Sequence, residues 1–192
     1  MWEATSGKII STHKSNNIFP IHVVVWPPDG KIKMVTGGGG SWAYIVDITS
    51  GKEILCTPSV SNMYYATDSF ALSRDGRFFA SAENSSTYEH DIKQGVYPWL
   101  VKVIDATSGE LIFSGEKHVD FVRTVTLSPD NKYLASGSVD KTIRIWSLAT
   151  GENVFMYRGH TSEINTLAWS PDSKRIASSS LWENEVYVWQ AT

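Results

Sequence analysis

This chain of 192 residues has one cysteine, Cys56, and charged side chains make up only 19% of it. A single cysteine excludes an intrachain disulfide and fits a reducing compartment. No apolar run approaches the roughly 20 residues of a membrane helix, so no helical span is expected. The first residues lack a basic stretch followed by an apolar one, so no secretory leader is expected, and the acceptor-like Asn84-Ser85-Ser86 reads as coincidence. Positive charge is also scarce: 17 Lys and Arg stand against 20 Asp and Glu, a net charge of −3. That balance argues against a nucleic-acid partner, because phosphate contacts need clustered Lys and Arg. Neither a His-Glu-x-x-His nor a Cys/His metal spacing occurs, and no serine sits in a nucleophile elbow. Gly37-Gly38-Gly39-Gly40 lacks the Lys and Ser or Thr of a phosphate loop and reads as a tight strand connection. These absences point to a cytoplasmic protein that is not an enzyme and has no metal, no cofactor and no membrane contact.

Aromatic residues, by contrast, are plentiful: eight Trp, eight Tyr and seven Phe, which favour strands over helices. No stretch of useful length has a helical period. A phrase recurs instead: Trp2-Glu3-Ala4-Thr5-Ser6-Gly7, Val46-Asp47-Ile48-Thr49-Ser50-Gly51, Ile104-Asp105-Ala106-Thr107-Ser108-Gly109 and Trp146-Ser147-Leu148-Ala149-Thr150-Gly151. Its glycines at 7, 51, 109 and 151 lie 44, 58 and 42 residues apart. Spacings in the low forties are those of four-stranded propeller blades. The closing Trp189-Gln190-Ala191-Thr192 begins the phrase again.

Four segments align without gaps: Ile21–Asp29, Thr67–Asp75, Val122–Asp130 and Ile164–Asp172. Each reads as a short apolar strand ended by a Pro-Asp or Arg-Asp turn. A second strand of small residues follows, as in Tyr133-Leu134-Ala135-Ser136-Gly137-Ser138, and lets neighbouring sheets approach. A third alternates polar and apolar side chains, as in Thr142–Trp146 and Glu185–Trp189. The Thr-Ser-Gly or Thr-Gly turn then leads into a fourth, such as Asn153–Tyr157. The reading is all-β, with four antiparallel four-stranded blades over one unit, 1–192.

With His118, Ser128-Pro129-Asp130, Leu134–Ser138, Asp140 and Trp146 in one repeat, and Gly159-His160, Ser170-Pro171-Asp172, Ile176–Ser180 and Trp189 in the next, the chain resembles the WD40 family of β-propellers. The resemblance implies a buried hydrogen-bonded chain in each blade, carried in the third by His118, Ser136, Asp140 and Trp146. His160 and Trp189 hold the matching places in the fourth, where an inserted residue leaves Glu183 or Asn184 to replace the Asp. The first repeat keeps His13 and Thr36 but has Gly40 and Val46 at the Asp and Trp places; the second has no matching His and has Ile104 for the Trp. Those two blades are expected to rest on apolar packing and to be locally softer, and removing Glu183 is expected to matter less than removing Asp140.

The family's offset between sequence repeat and blade implies that Lys8–Thr12 is the outermost strand of the last blade, which otherwise lacks one. Either the same chain closes on itself or two chains exchange this strand as a homodimer, giving half of an eight-bladed ring each. A module of a larger regulatory protein is a further possibility. A protein or peptide partner is expected on the face bearing the long 85–98 connection, which is 13 residues longer than its counterpart in the third repeat. His22, Asp68, Arg123 and Asn165 are polar and mutually different at the start of the aligned strands, and the resemblance places them on the channel rim. Tyr88, Tyr97 and Trp99, with Trp42 and Trp182 at corresponding loops, offer aromatic anchors beside them. A propeller enzyme or small-ligand site built from His22, Asp68, Arg123 and His90 is the rival reading.

Overall fold

The computed structural model describes residues 5–6, 21–25, 33–37, 42–47, 52–58, 69–84 and 99–191, with side chains described at Ile45 and over 69–82 and 99–191. Asp68, Tyr88, His90, Tyr97, the 85–98 connection and Lys8–Thr12 lie outside the described residues. At His22 and Trp42 only the backbone is described.

Four antiparallel sheets follow one another along the chain. The first joins β1 (Ile21–Val25), β2 (Lys33–Gly37), β3 (Trp42–Asp47) and β4 (Lys52–Pro58) in sequence order. The second joins β5 (Phe70–Leu72), β6 (Phe78–Asn84), β7 (Trp99–Asp105) and β8 (Leu111–His118). The third joins β9 (Val122–Leu127), β10 (Tyr133–Ser138), β11 (Ile143–Ser147) and β12 (Asn153–Tyr157). Among the described residues the fourth has three strands, β13 (Ile164–Trp169), β14 (Arg175–Ser180) and β15 (Val186–Gln190). Every connection within a sheet is a meander, and β9 packs beside β5 on one side and β13 on the other. Inner strand against inner strand and sheet face against sheet face is the arrangement of a β-propeller.

The turns explain why the strands break where they do. Ser128 Oγ donates to Asp130 Oδ1 at 2.6 Å and accepts from Tyr133 N at 2.9 Å, closing the β9–β10 turn. Ser73 with Asp75, and Ser170 with Asp172, repeat that bond in the second and fourth sheets. The residue after each Asp is left-handed, with φ of 73° at Gly76, 59° at Asn131 and 60° at Ser173. Two of these turns also fasten neighbouring sheets: Asn131 Nδ2 donates to Asp75 Oδ2 at 2.6 Å, and Asp130 N donates to Ser173 Oγ at 3.1 Å.

The core lies between sheets. Phe78, Ala80, Val101, Val103 and Phe113 of the second sheet bury against Val125, Leu134 and Trp146 of the third. Ala135, Ile143 and Ile145 of the third bury against Ile164, Leu167 and Ile176 of the fourth. Ile45 joins Phe70, Leu72, Phe79 and Ile104 in the same way. Small residues make the approach possible: a Cβ on Gly115 would stand 2.5 Å from Trp146 Cζ3. Aromatic rings bridge the outer strands, with Tyr157 stacked on Trp189 at 4.6 Å between centroids. The outer strand of the fourth sheet is less covered: Val186 and Val188 are 68% and 63% exposed.

Candidate functional site

The end of β8 in the second sheet meets β10 and β11 of the third on one buried polar line. Trp146 Nε1–H donates to Ser136 Oγ at 2.8 Å, Ser136 Oγ lies 2.8 Å from His118 Nε2, and His118 Nδ1 lies 2.8 Å from Asp140 Oδ2. With a carboxylate at Nδ1, that nitrogen carries the proton, and the other can accept from the serine hydroxyl. Asp140 also accepts from Thr142 N, Thr142 Oγ1 and Val119 N. Burial alone would raise its carboxyl, but the bonds from His118 and Thr142 outweigh burial and hold it well below the ordinary carboxylate range.

A serine, a histidine and a carboxylate in that order are also the parts of a nucleophilic triad. Here Ser136 is fully buried and its oxygen already takes the Trp146 N–H, so no substrate carbonyl can reach it. The line fixes the β8–β9 loop to the sheet.

The fourth sheet builds the same line with a longer side chain. His160 Nε2 lies 2.8 Å from Ser178 Oγ, Trp189 Nε1 donates to that oxygen at 3.2 Å, and His160 Nδ1 meets Glu183 Oε2. Of the two candidates for the Asp place, Glu183 takes it. Thr161 N, Thr161 Oγ1 and Ser180 Oγ also donate to its carboxylate. The bond from His160, then those from Ser180 and Thr161, hold Glu183 well below the ordinary range. The extra methylene spans the extra residue, and the Glu183 carboxylate accepts from four donors, as the Asp140 carboxylate does.

The polar column sits on a register defect repeated in three sheets. Ile21 pairs with Thr36 and Val23 with Val35; Val122 pairs with Ser138 and Thr124 with Gly137; Ile164 pairs with Ser180 and Thr166 with Ser179. His22, Arg123 and Asn165 are thus the extra residues of three β-bulges. A bulge bends its strand and re-aims the side chain it carries. Asn165 is exposed, while Arg123 is half-buried and pairs through Nη2 with Glu163 Oε2 at 2.7 Å.

By the antiparallel topology, the starts of β9 and β13 share one end of the sheets with the ends of β8, β10 and β14. That end carries Val119 and Trp182, 80% and 84% exposed, with Leu181 beside Trp182. Trp99 lies at this end too, but its ring packs 4.2 Å from that of Phe121 and against the core. Trp99 is thus half-buried, with part of its ring taken up by Phe121 and the core beneath. Glu163, the partner of Arg123, was missed from the sequence. Its signal was available, since the aligned places hold Pro20, Ala66 and Phe121, none of them charged. Among the described residues no group of His, Cys, Asp and Glu is placed to hold a metal, and no helix is long and apolar enough to cross a membrane.

Comparison with known proteins adds to this geometry. The family described as "WD domain, G-beta repeat" matches residues 109–147 and 151–190. A 43-residue stretch is 46% identical to the ribosome biogenesis protein BOP1 homologs of Drosophila virilis and Drosophila persimilis. That stretch is 22% of this chain and 5% of either relative, so the likeness spans about one repeat. The fold is similar to a chain in the crystal structure of the mitotic checkpoint complex, with a TM-score of 0.69 at 18% identity, covering 99% of this chain and 53% of that one. Residues 109–147 and 151–190 are thus two WD40 repeats, each closed by its own Trp–Ser–His–carboxylate line.

Proposed function

We propose that the chain is a non-catalytic scaffold that binds a protein or peptide at the end of the sheets where β9 and β13 start. The observation that carries this reading is Trp182, a large aromatic ring 84% exposed on a loop held from beneath by Glu183. Exposed apolar area beside bulge-directed polar side chains on a rigid support is what a partner anchor requires. Val119, Arg123 and Asn165 lie at the same end of the sheets, and the reading extends to His22, Asp68 and the 85–98 connection. The test is a photo-crosslinking residue placed at 182 and, separately, at Lys174 on the opposite end. Partner adducts are expected at 182 only; adducts from 174 alone would put binding on the other face.

The assembly belongs to the same proposal. The four sheets are read as four blades, and Lys8–Thr12 is proposed to pair with β15, within the chain or exchanged in a homodimer that forms an eight-bladed ring. The exposed Val186 and Val188 support an added strand there. Light scattering separates the alternatives, and deleting residues 1–13 is expected to lower stability and solubility far more than deleting 86–96. Equal effects would remove the closure reading. A cytoplasmic setting fits the lone Cys56.

A further inference from the structure

Arg123 and Glu163 form a pair in which neither group is fully used. Arg123 Nη2 stands 2.7 Å from Glu163 Oε2, yet Arg123 Nε is buried with no hydrogen-bond partner and Glu163 Oε2 accepts no aligned hydrogen bond. On a guanidinium, Nε and Nη2 share one edge, and that edge is shaped to take both oxygens of one carboxylate. Glu163 reaches the edge from the next sheet at an angle that engages one nitrogen and leaves the other shut away from water. Both side chains remain about one-third exposed, so a competitor in solution can approach.

The backbones on either side are tied into their sheets. Glu163 O accepts from Leu181 N at 3.0 Å, which also places Trp182 next to the pair. Arg123 is held by its bulge between Val122 and Thr124.

We propose that Arg123 is a receptor for a carboxylate of an acidic peptide, and that Glu163 occupies it in the free protein as an internal competitor. The inference rests on the binding-face reading above and adds its ligand chemistry and its control. An incoming carboxylate takes Nε and Nη2 together, and Glu163 swings into solvent. The gain on removing the competitor follows from what a partly exposed ion pair contributes, which corresponds to about a two- to fivefold population bias.

The experiment uses fluorescence anisotropy at low salt with three labelled octapeptides. One alternates Glu and Ser with an amidated C-terminus, one replaces each Glu by Gln but keeps a free C-terminal carboxylate, and one is neutral and amidated. Binding of the first or second identifies a side-chain or a terminal carboxylate as the source, and binding of the third equal to both overturns the proposal. Glu163→Gln is expected to tighten the acidic peptide about two- to fivefold, and Arg123→Gln in that background to abolish the gain. Glu110→Gln, an exposed change of equal charge at a distant turn, is expected to leave affinity unchanged. Equal gains from Glu163→Gln and Glu110→Gln, or no peptide binding to either protein, overturn the receptor. Loss of binding on Trp182→Ala without any response to Glu163→Gln keeps the face and removes the receptor. Binding indifferent to both Trp182→Ala and Arg123→Gln removes the face itself.

Discussion

Asp140→Ala is the substitution whose cost the structure specifies most closely. The side chain is 4% exposed, and its two oxygens accept from His118 Nδ1, Thr142 N, Thr142 Oγ1 and Val119 N. Val119 is open to water, so its N–H recovers a partner when the carboxylate goes. The His118 ring is buried and cannot, and Thr142 is nearly as enclosed. Stranding a buried donor costs about 1–3 kcal/mol, and more where a charge was its partner, so a loss of about 3 kcal/mol is expected. Chemical denaturation at neutral pH measures it directly. The carboxyl is depressed from an ordinary value of 3.8, so its contribution is complete above that value and is lost as pH falls toward the lower folded value. The wild type is therefore expected to lose stability below about pH 4, and the variant to lose less over the same interval. Neutral-pH stability equal to wild type, or an unchanged acid limb, would show that the polar line does not hold the blade.

Glu183→Ala is expected to lower the melting temperature clearly more than the exposed Glu152→Ala, and parity of the two would favour the smaller cost, relative to Asp140, that its inserted residue first implied. Gly115→Ala drives a methyl into the Trp146 ring and is expected to cost about 2 kcal/mol by denaturation, against almost nothing for the neighbouring exposed Ser114→Ala. Lys141 is exposed with φ of 67°, so Lys141→Gly is expected to stabilise by about 0.5–1 kcal/mol, and a loss on calorimetry would mean its side chain is engaged.

The meandering sheets were legible because turn chemistry and strand alternation act over a few residues. Ser-x-Asp followed by a residue that tolerates a left-handed backbone ends β5, β9 and β13, and every part of that signal is local. The third polar line was legible for the same reason: His118, Ser136, Asp140 and Trp146 keep the family spacing. Glu183 was half legible, since the insertion announced a substitute but not that the longer side chain restores every bond. The packing of Trp99 and the pairing of Glu163 were not legible because their surroundings come from another sheet. Whether Trp99 is open depends on Phe121, and Glu163 becomes an ion-pair partner only when β13 lies beside β9. A single repeat holds no record of what its neighbour sets against it.

The turn residues Asn131 and Ser173 bind across sheets as well as within them, so the second, third and fourth sheets are fastened in a row at their turns and through their cores. Free energy in such a row is divided between units and the seams joining them, as in a one-dimensional chain of coupled spins. The third sheet has a described seam on both faces, with the second sheet and with the fourth. Amide protons in β9–β11 should accordingly exchange last, through an opening that needs both seams to fail. Those of β13, whose sheet has a described seam on one face, should exchange sooner.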